Sequence, residues 1–315
     1  MKRLKILQVG VLAVLGAVAV FGLFGCDLEE VIEASISGNV EAVREVTETY
    51  ELTGLLQLDV ESSNGYVIVQ SADSAAMGIQ PGDPAGVTVK AILRSRADTL
   101  EKAKERVNAI VFHMIQTGDN LALSYSSSQQ SSDVGRYSGV SFEVTVPAQA
   151  NVEVDTSNGA ITIRGIEGVF ELDTSNGAID LINLIGLVDA DTSNGAIDVN
   201  GFRGVLHLET SNGAIDIADT EATVDARTSN GRISFSGVLV GDSHHLRTSN
   251  GSVEARVLPN ASIHFSASTS IGSISTTLPL VGDTEGRSWD ATLNAPATQT
   301  LELRTSNGSI RIEGR

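Results

Sequence analysis

Cysteine, aromatic residues and positive charge are all scarce in this chain of 315 residues. Cys26 is the only cysteine, so no disulfide can form within the chain, and backbone hydrogen bonds and packing must hold the fold. Aromatic residues make up 4% of the sequence, whereas 31 residues are glycine. This composition suits thin, stacked β layers better than the thick core of a globular enzyme.

The shortage of positive charge limits the choice of partner. Three of the 21 basic residues lie in the first 25 residues, which contain no Asp or Glu. The rest of the chain therefore has 18 basic residues against 39 acidic ones, a net charge of −21. Such a surface is repelled by nucleic-acid phosphates and by anionic lipid headgroups, so the sequence predicts no nucleic-acid partner.

Residues 1–25 have the pattern of a secretory signal peptide. Lys2, Arg3 and Lys5 precede an apolar run that ends in Leu-Phe-Gly-Cys at Cys26. This ending resembles the lipobox of bacterial lipoproteins, in which the cysteine becomes the lipidated first residue. An uncleaved transmembrane helix is the alternative, because the run approaches the roughly 20 residues that span a bilayer. Both interpretations place the remaining chain outside the cytoplasm on a membrane tether, and we favour lipidation of Cys26.

The tetrapeptide Thr-Ser-Asn-Gly recurs in the second half of the chain. Its asparagines are 18, 18, 18, 18, 20 and 57 residues apart, which predicts a repeat unit of 18 residues. A degenerate copy, Thr269-Ser270-Ile271-Gly272, divides the longest interval, and a related segment, Ser62-Ser63-Asn64-Gly65, lies upstream of the array. The predicted turn residues are Asn158, Gly159, Asn176, Gly177, Asn194, Gly195, Asn212, Gly213, Asn230, Gly231, Asn250, Gly251, Asn307 and Gly308.

Each repeat unit contains two alternating apolar segments. With its asparagine counted as position one, positions four, six, thirteen and fifteen are apolar or small, as in Ile161, Ile163, Phe170 and Leu172. A meander of antiparallel hairpins fits this pattern, since Asn-Gly favours type I′ turns. A coil of stacked rungs fits better, because stacking repeats the same residue about every 4.8 Å. The predicted fold class is therefore mainly β, a β-helix-like parallel β-solenoid of about 18-residue rungs after a small α+β region with one helix.

The predicted helix lies near residues 98–108. Asp98 and Glu101 have the spacing of a capping box, and Leu100, Ala103 and Val107 follow helical periodicity. The acidic stretch before residue 47 is expected to be a short spacer or helix. The chain is therefore expected to consist of a lipoprotein signal peptide (1–25), an anchor and spacer (26–46), an α+β segment (47–146) and β-solenoid repeats (147–315).

This arrangement resembles a known family of bacterial envelope proteins. A strand pair around Ser-Asn-Gly, the helix, the Val146-Pro147 step and the repeated Thr-Ser-Asn-Gly-Ala-Ile-Asp-Ile units are similar to the "putative adhesin" family. The resemblance covers roughly residues 45–315. It implies a β-solenoid fold and an envelope location, and it supplies no catalytic residues.

Two acidic columns are the candidate metal sites. Asp180, Asp198 and Asp216 share position five of successive units, and a second set of carboxylates shares position sixteen. A divalent cation could relieve the repulsion between stacked charges, but calcium needs six to eight oxygens that converge on one point. We favour a solvated acidic face that protects against aggregation. The sequence thus predicts no cofactor, and these three aspartates stay as the metal candidates.

No catalytic constellation stands out. His244 and His245 could touch a metal, but no third ligand is evident, and no phosphate loop or nucleophile elbow is present. Residues 278–300 interrupt the repeats and contain Trp289, which we expect to cover the open end of the solenoid rather than to bind a ligand.

The expected function is that of a non-enzymatic, lipid-anchored cell-surface protein, an adhesin or an envelope scaffold. Its expected partners are the membrane, through the lipid, and a surface protein or polysaccharide. A polysaccharide-active β-helix enzyme and an accessory lipoprotein of a membrane signalling protein are the alternatives.

Overall fold

The computed structural model describes residues 34–36, 39–72, 86–127 and 138–315, so Cys26 and the segment 1–25 lie outside the described residues. These ranges contain 23 strands and one helix. In chain order they are β1 (Ala34–Ile36), β2 (Asn39–Glu51), β3 (Leu56–Ser62), β4 (Val67–Ser71), β5 (Gly86–Ala97), α1 (Leu100–Asn108), β6 (Ile110–Thr117), β7 (Asn120–Ser127), β8 (Ser138–Val146), β9 (Ala150–Thr156), β10 (Ile161–Arg164), β11 (Glu167–Thr174), β12 (Ile179–Thr192), β13 (Ile197–Thr210), β14 (Ile215–Thr228), β15 (Ile233–Leu239), β16 (Ser243–Thr248), β17 (Val253–Val257), β18 (Ile263–Ile271), β19 (Ile274–Thr276), β20 (Val281–Asp283), β21 (Ser288–Leu293), β22 (Gln299–Asn307) and β23 (Ile310–Gly314).

The predicted parallel β-solenoid is confirmed. Ile161, Ile179 and Ile197 pair in parallel from rung to rung, each 18 residues from the next. The alternative of an antiparallel meander is therefore wrong for the repeats. A meander would reverse alternate units, whereas parallel stacking sets identical residues side by side.

Each rung contributes to two sheets that enclose the core. Sheet 1 has the spatial order β1, β2, β5, β8, β4, β10, the first parts of β12 to β15, then β17, β23 and β19. Sheet 2 has the order β6, β7, β3, β9, β11, the second parts of β12 to β14, then β16, β22, β18, β21 and β20. The apolar residues at positions four, six, thirteen and fifteen are buried between the sheets, as their alternation predicts.

The asparagines of the corners form a continuous amide ladder. The side-chain Nδ2 of Asn176 donates to Oδ1 of Asn158 at 2.8 Å, and the same bond recurs between rungs at 2.7 to 3.0 Å. The threonine two residues earlier is buried and donates its hydroxyl to the glycine carbonyl of the preceding rung, as Thr192 does to Gly177 at 3.0 Å. The ladder consists of Asn64, Asn158, Asn176, Asn194, Asn212, Asn230, Asn250 and Asn307.

The corner glycines are needed for a reason other than positive φ, which is the usual one at an Asn-Gly turn. Gly177 and Gly195 have no positive φ, yet a Cβ on Gly195 would lie 1.7 Å from the carbonyl oxygen of Gly177. Close stacking of adjacent rungs therefore excludes any side chain here.

The first and last rungs of the chain lie inside the stack. The rung of β3 and β4 lies between β7–β8 and β9–β10, so Asn64 accepts a bond from Asn158, 94 residues away. The segment Ser62-Ser63-Asn64-Gly65, expected to lie outside the array, is thus part of the ladder. At the other end, β22 and β23 lie between β16–β17 and β18–β19. The degenerate copy at Thr269 therefore stacks beyond Gly308, against the order of the chain.

The N-terminal end of the core is closed by α1 and β2. The helix begins after Thr99, whose side chain accepts from the backbone N–H of Lys102, whereas the expected cap, Asp98, forms an ion pair with the Lys102 ammonium at 2.7 Å. Ala103 and Val107 are buried. Strand β2 begins at Asn39 and pairs with β5 from Val40 to Glu51, so much of the expected spacer is part of sheet 1. In the described residues no helix has the length and apolar character needed to cross a bilayer.

The C-terminal end of the core is closed by strands β21 and β20. Trp289 in β21 pairs with Ala267, is 8% exposed and belongs to the hydrophobic core cluster. The structure thus places this tryptophan at the end of the stack, where we expected it.

Candidate functional site

The outer face of sheet 2 carries stacked carboxylates over five adjacent rungs. Outward positions fourteen and sixteen of these rungs hold acidic residues, except that His207 occupies position fourteen of the fifth rung, and parallel pairing places these residues side by side. Among the described residues none of them forms an ion pair, and Arg227, which stacks beside Glu209, pairs with Asp225 instead. We call this set the acidic ladder; it comprises Asp59, Glu61, Glu153, Asp155, Glu171, Asp173, Asp189, Asp191 and Glu209.

The same columns change character in the later rungs. Position sixteen continues as Arg227, Arg247 and Arg304. Arg227 pairs with Asp225 at 2.7 Å, whereas Arg247 and Arg304 both contact Glu302. Burial alone would raise the pKa of Glu302, but the hydrogen bond and charge of Arg247, with Arg304 and His245, bring that pKa below its ordinary value. This part of the face is therefore internally neutralised.

Three carboxylates of the acidic ladder have raised pKa values, because they are partly buried and lie close to other carboxylates of the ladder. Partial burial, followed by the charges of Asp189, Asp173 and Glu209, raises the pKa of Asp191 to about 6. The pKa values of Asp173 and Glu153 are raised for the same two reasons, burial first and neighbouring carboxylates second. These carboxylates would gain from a positive group placed on the face.

An apolar column borders the acidic ladder. Position twelve faces outward and holds Val169, which is 50% exposed, Leu187, which is 39% exposed, and then Val205. Next to it, an open groove of about 620 Å³ crosses sheet 2 from the edge strand β6, where Ile115 is 57% exposed. The side chains that line the groove from outward positions are Gln57, Asp59, Ile115, Thr117, Asn120, Ala122, Asn151, Glu153, Val169 and Glu171.

The metal candidates form a line on the other sheet. Asp180, Asp198 and Asp216 are in parallel register on the outer face of sheet 1. Asp216 is bound to Arg232 at 2.8 Å, while burial and then the other two aspartates raise the pKa of Asp198. Within the described ranges, no three such side chains are grouped as metal ligands would be.

The adjacent histidines point in opposite directions. His244 is buried in the core, where its Nδ1 accepts from the backbone N–H of Val224 at 3.3 Å. His245 faces outward, and its Nδ1 lies 3.1 Å from Glu302. Strand alternation separates the two rings, so they cannot bind one metal together.

The fold and the face together define a β-solenoid scaffold with a long patterned surface. Its Asn-Gly corners serve the stacking of rungs, since the amides bond to one another from rung to rung. The sequence profile of the Toastrack family, DUF4097, matches residues 29–313, and the chain belongs to this family.

Solved structures similar to the chain are distant in sequence. A "putative cell adhesion protein" from Clostridium sporogenes is 11% identical, covers 87% of this chain and 100% of its own, and has a TM-score of 0.26. A "putative adhesin" from Bacteroides fragilis is 11% identical, with coverages of 86% and 97% and a TM-score of 0.35. One from Parabacteroides distasonis is 10% identical, with the same coverages and a TM-score of 0.38. Among curated proteins, none matches the chain.

Sequence reasoning found position sixteen of the acidic ladder and missed position fourteen and the apolar column. Val169, Leu187 and Val205 break the rule that outward positions are polar, and this irregularity in three successive units was the available signal. The groove itself needs Ile115 beside the rungs, and only the pairing of β7 with β3 brings the two segments together.

Proposed function

We propose that the chain is a lipid-anchored protein of the bacterial cell envelope that acts by binding, as an adhesin or interaction scaffold, and not by catalysis. The observation that carries the proposal is the outer face of sheet 2. There an exposed apolar column and unpaired carboxylates run in parallel along a stack stiffened by amide ladders. A rigid, extended and patterned surface suits recognition of another molecule.

The anchor is inferred from the sequence. The Leu-Phe-Gly-Cys ending at Cys26 supplies the lipidation signal, and Asn39, the first residue of β2, follows after a short segment. We propose that residues 26–46 combine the anchor with the first part of β2, that 47–146 form the N-terminal unit, and that 147–315 form the repeats. The solenoid would then stand close to the membrane surface.

A binding role is favoured over catalysis by the arrangement of the charged groups. Glycoside hydrolysis needs two carboxyl groups with different protonation states across a cleft. The carboxylates of the acidic ladder instead repeat along one open face, and Glu302, farther along that face, forms ion pairs with Arg247 and Arg304.

The anchor can be tested with Cys26→Ala. We expect the unaltered chain to incorporate a clickable palmitate analogue and to sediment with membranes, and the variant to lose the label. Surface labelling of intact cells with an antibody to the chain would report its side of the membrane. Retention of the label by Cys26→Ala would contradict lipid anchoring.

The enzyme alternative is tested separately. The purified chain would be incubated with a panel of acidic and neutral polysaccharides, and reducing ends would be measured over time. We expect no turnover. Turnover that one Asp→Asn change in the acidic ladder abolishes would show that the protein is an enzyme.

A further inference from the structure

We propose that the groove on the outer face of sheet 2 is the docking site for a basic polypeptide segment with one apolar edge. This inference rests on the binding function proposed above and names the class of partner. The groove is open, about 620 Å³ in volume, and bounded by Ile115 on one side and Val169 on the other.

Exposed apolar side chains lie in the groove and in a stripe that leads away from it. Ile115 and Ala122 line the groove from the β6–β7 hairpin, whereas Val169, Leu187 and Val205 stack in register on adjacent rungs and form the stripe. Gln57 and Asn151 lie between the two parts. Isolated exposed apolar side chains are common, but three stacked in register beside a groove favour an interaction surface. The stripe supplies the contact area, and its neighbours supply the charge preference.

Charge complementarity selects a basic occupant. The acidic ladder places nine carboxylates along the groove and the stripe together, and in the described part of the chain none of them forms an ion pair. A basic side chain there would gain attraction from several carboxylates at once and would lower the cost of their mutual repulsion.

A second copy of the chain fits this surface less well. On the same face, the basic residues are the column of Arg227, Arg247 and Arg304, and these arginines already form ion pairs with Asp225 and Glu302. In a dimer this nearly neutral segment would face nine carboxylates and would supply too little positive charge to balance them. A separate basic polypeptide supplies that positive charge.

The length of the surface sets the size of the occupant. Five rungs at about 4.8 Å spacing extend over roughly 19 Å. That distance corresponds to about six extended residues or about 13 helical ones. Apolar and basic side chains must lie on opposite edges of an extended segment, as alternation along the chain provides, because columns twelve and fourteen are two residues apart on each strand and flank the segment.

The test is calorimetric titration of the full chain, purified in non-ionic detergent, with synthetic peptides of about 12 residues. One peptide alternates Lys and Val, a second alternates Lys and Ser, and a third alternates Glu and Val; detergent alone provides the blank. We expect one-to-one binding of the Lys/Val peptide, binding roughly tenfold weaker for the Lys/Ser peptide, and none for the Glu/Val peptide.

Two matched variants locate the site. Glu153→Gln combined with Glu171→Gln removes two charges of the acidic ladder that line the groove, and we expect it to weaken binding of the Lys/Val peptide roughly tenfold. Asp180→Asn combined with Asp198→Asn removes two charges from sheet 1, and we expect less than about a twofold change. Val169→Ser should weaken binding of the Lys/Val peptide but not that of the Lys/Ser peptide.

Three results would overturn the proposal. Equal losses in the two double variants would mean that net charge alone attracts the peptide. Equal affinity for the Lys/Val and Lys/Ser peptides would remove the role of the stripe. Dimers that sediment as such, and that Glu153→Gln with Glu171→Gln dissociates, would assign the surface to a second copy. None of these results depends on lipidation of Cys26, so failure here leaves the anchor test intact.

Discussion

At the scale of single residues, the corner glycine is the position where the stack tolerates least change. A methyl group on Gly195 would meet the Gly177 carbonyl oxygen at 1.7 Å and the Ala178 nitrogen at 2.9 Å. Gly195→Ala should therefore separate two rungs and cost about 3 kcal/mol or more in the free energy of unfolding. Urea unfolding followed by circular dichroism measures this loss. Ser193→Ala, an exposed change in the same corner, should have an effect below about 0.5 kcal/mol, and equal losses in both variants would argue against close stacking as the cause.

The acidic ladder predicts a pH dependence of stability. The pKa of Asp191 is raised from its ordinary 3.8 to about 6, so between these values the folded state holds a proton that the unfolded state releases. Stability from this group is therefore full below about pH 3.8 and is lost as the pH rises towards 6. At pH 7, Asp191→Asn should stabilise the protein by about 1 kcal/mol, after allowance for screening by solvent.

Urea unfolding of the Asp191→Asn variant at pH 7 and again below the ordinary pKa checks this sign. The higher free energy of unfolding of the variant, relative to the unaltered chain, should disappear at the lower pH. Glu285→Gln, at an exposed position before β21, removes the same charge and serves as the control, with no comparable dependence expected. A variant less stable than the unaltered chain at neutral pH would show that the carboxylate is compensated.

At the scale of elements, β21 distinguishes a cap from a binding loop. Trp289 is 8% exposed and packs at the end of the core, so Trp289→Ala should leave a cavity and lower the free energy of unfolding by about 3 kcal/mol. Chemical unfolding measures this loss. Val281→Ala on β20, where the side chain is 78% exposed, is the control and should change stability little. If the Trp289→Ala variant were as stable as the unaltered chain, the tryptophan would not be a cap on the core, and the ligand-binding interpretation would be favoured.

Some elements could be predicted from the sequence because their pattern is local. The period of 18 residues and the alternation around Ile179 and Leu181 define a rung without reference to anything distant. Strand β2 has no such pattern. Its inward positions include Arg44, whose guanidinium lies 5.8 Å from the Phe112 ring centre and donates to the Ile110 carbonyl at 3.1 Å. A polar residue on the inner face breaks the alternation, so the stretch was expected to be a spacer.

The spatial order of the rungs and the groove could not be predicted in the same way. Spacing along the chain gives the size of a unit but not its neighbour, and nothing local places Asn64 beside Asn158 or Asn307 beside Asn250. The groove depends on that order, because Ile115 reaches it only through the pairing of β7 with β3.

At the scale of the whole molecule, the inserted end rungs predict unusual protection of the C-terminus. In a simple solenoid the last rung contacts one neighbour and frays first. Here β22 is hydrogen-bonded on both sides, to β16 and β18, and β23 to β17 and β19. Hydrogen exchange should therefore find amides in 301–305 and 310–312 as slow as those in 188–192, and those of β20 much faster. Exchange of 301–312 as fast as that of β20 would contradict the pairing.

The same insertion makes closure of this end of the stack depend on β22 and β23. A ribosome releases the strands in sequence order, so β16 to β19 exist before β22 and β23 do. Until those last strands arrive, the two layers that will flank them have no partner in common, and the stack has an unfilled slot near one end. Strands β22 and β23 therefore complete the stack. A chain without them would keep a gap between two layers, and its exposed apolar strands would be targets for cellular proteases.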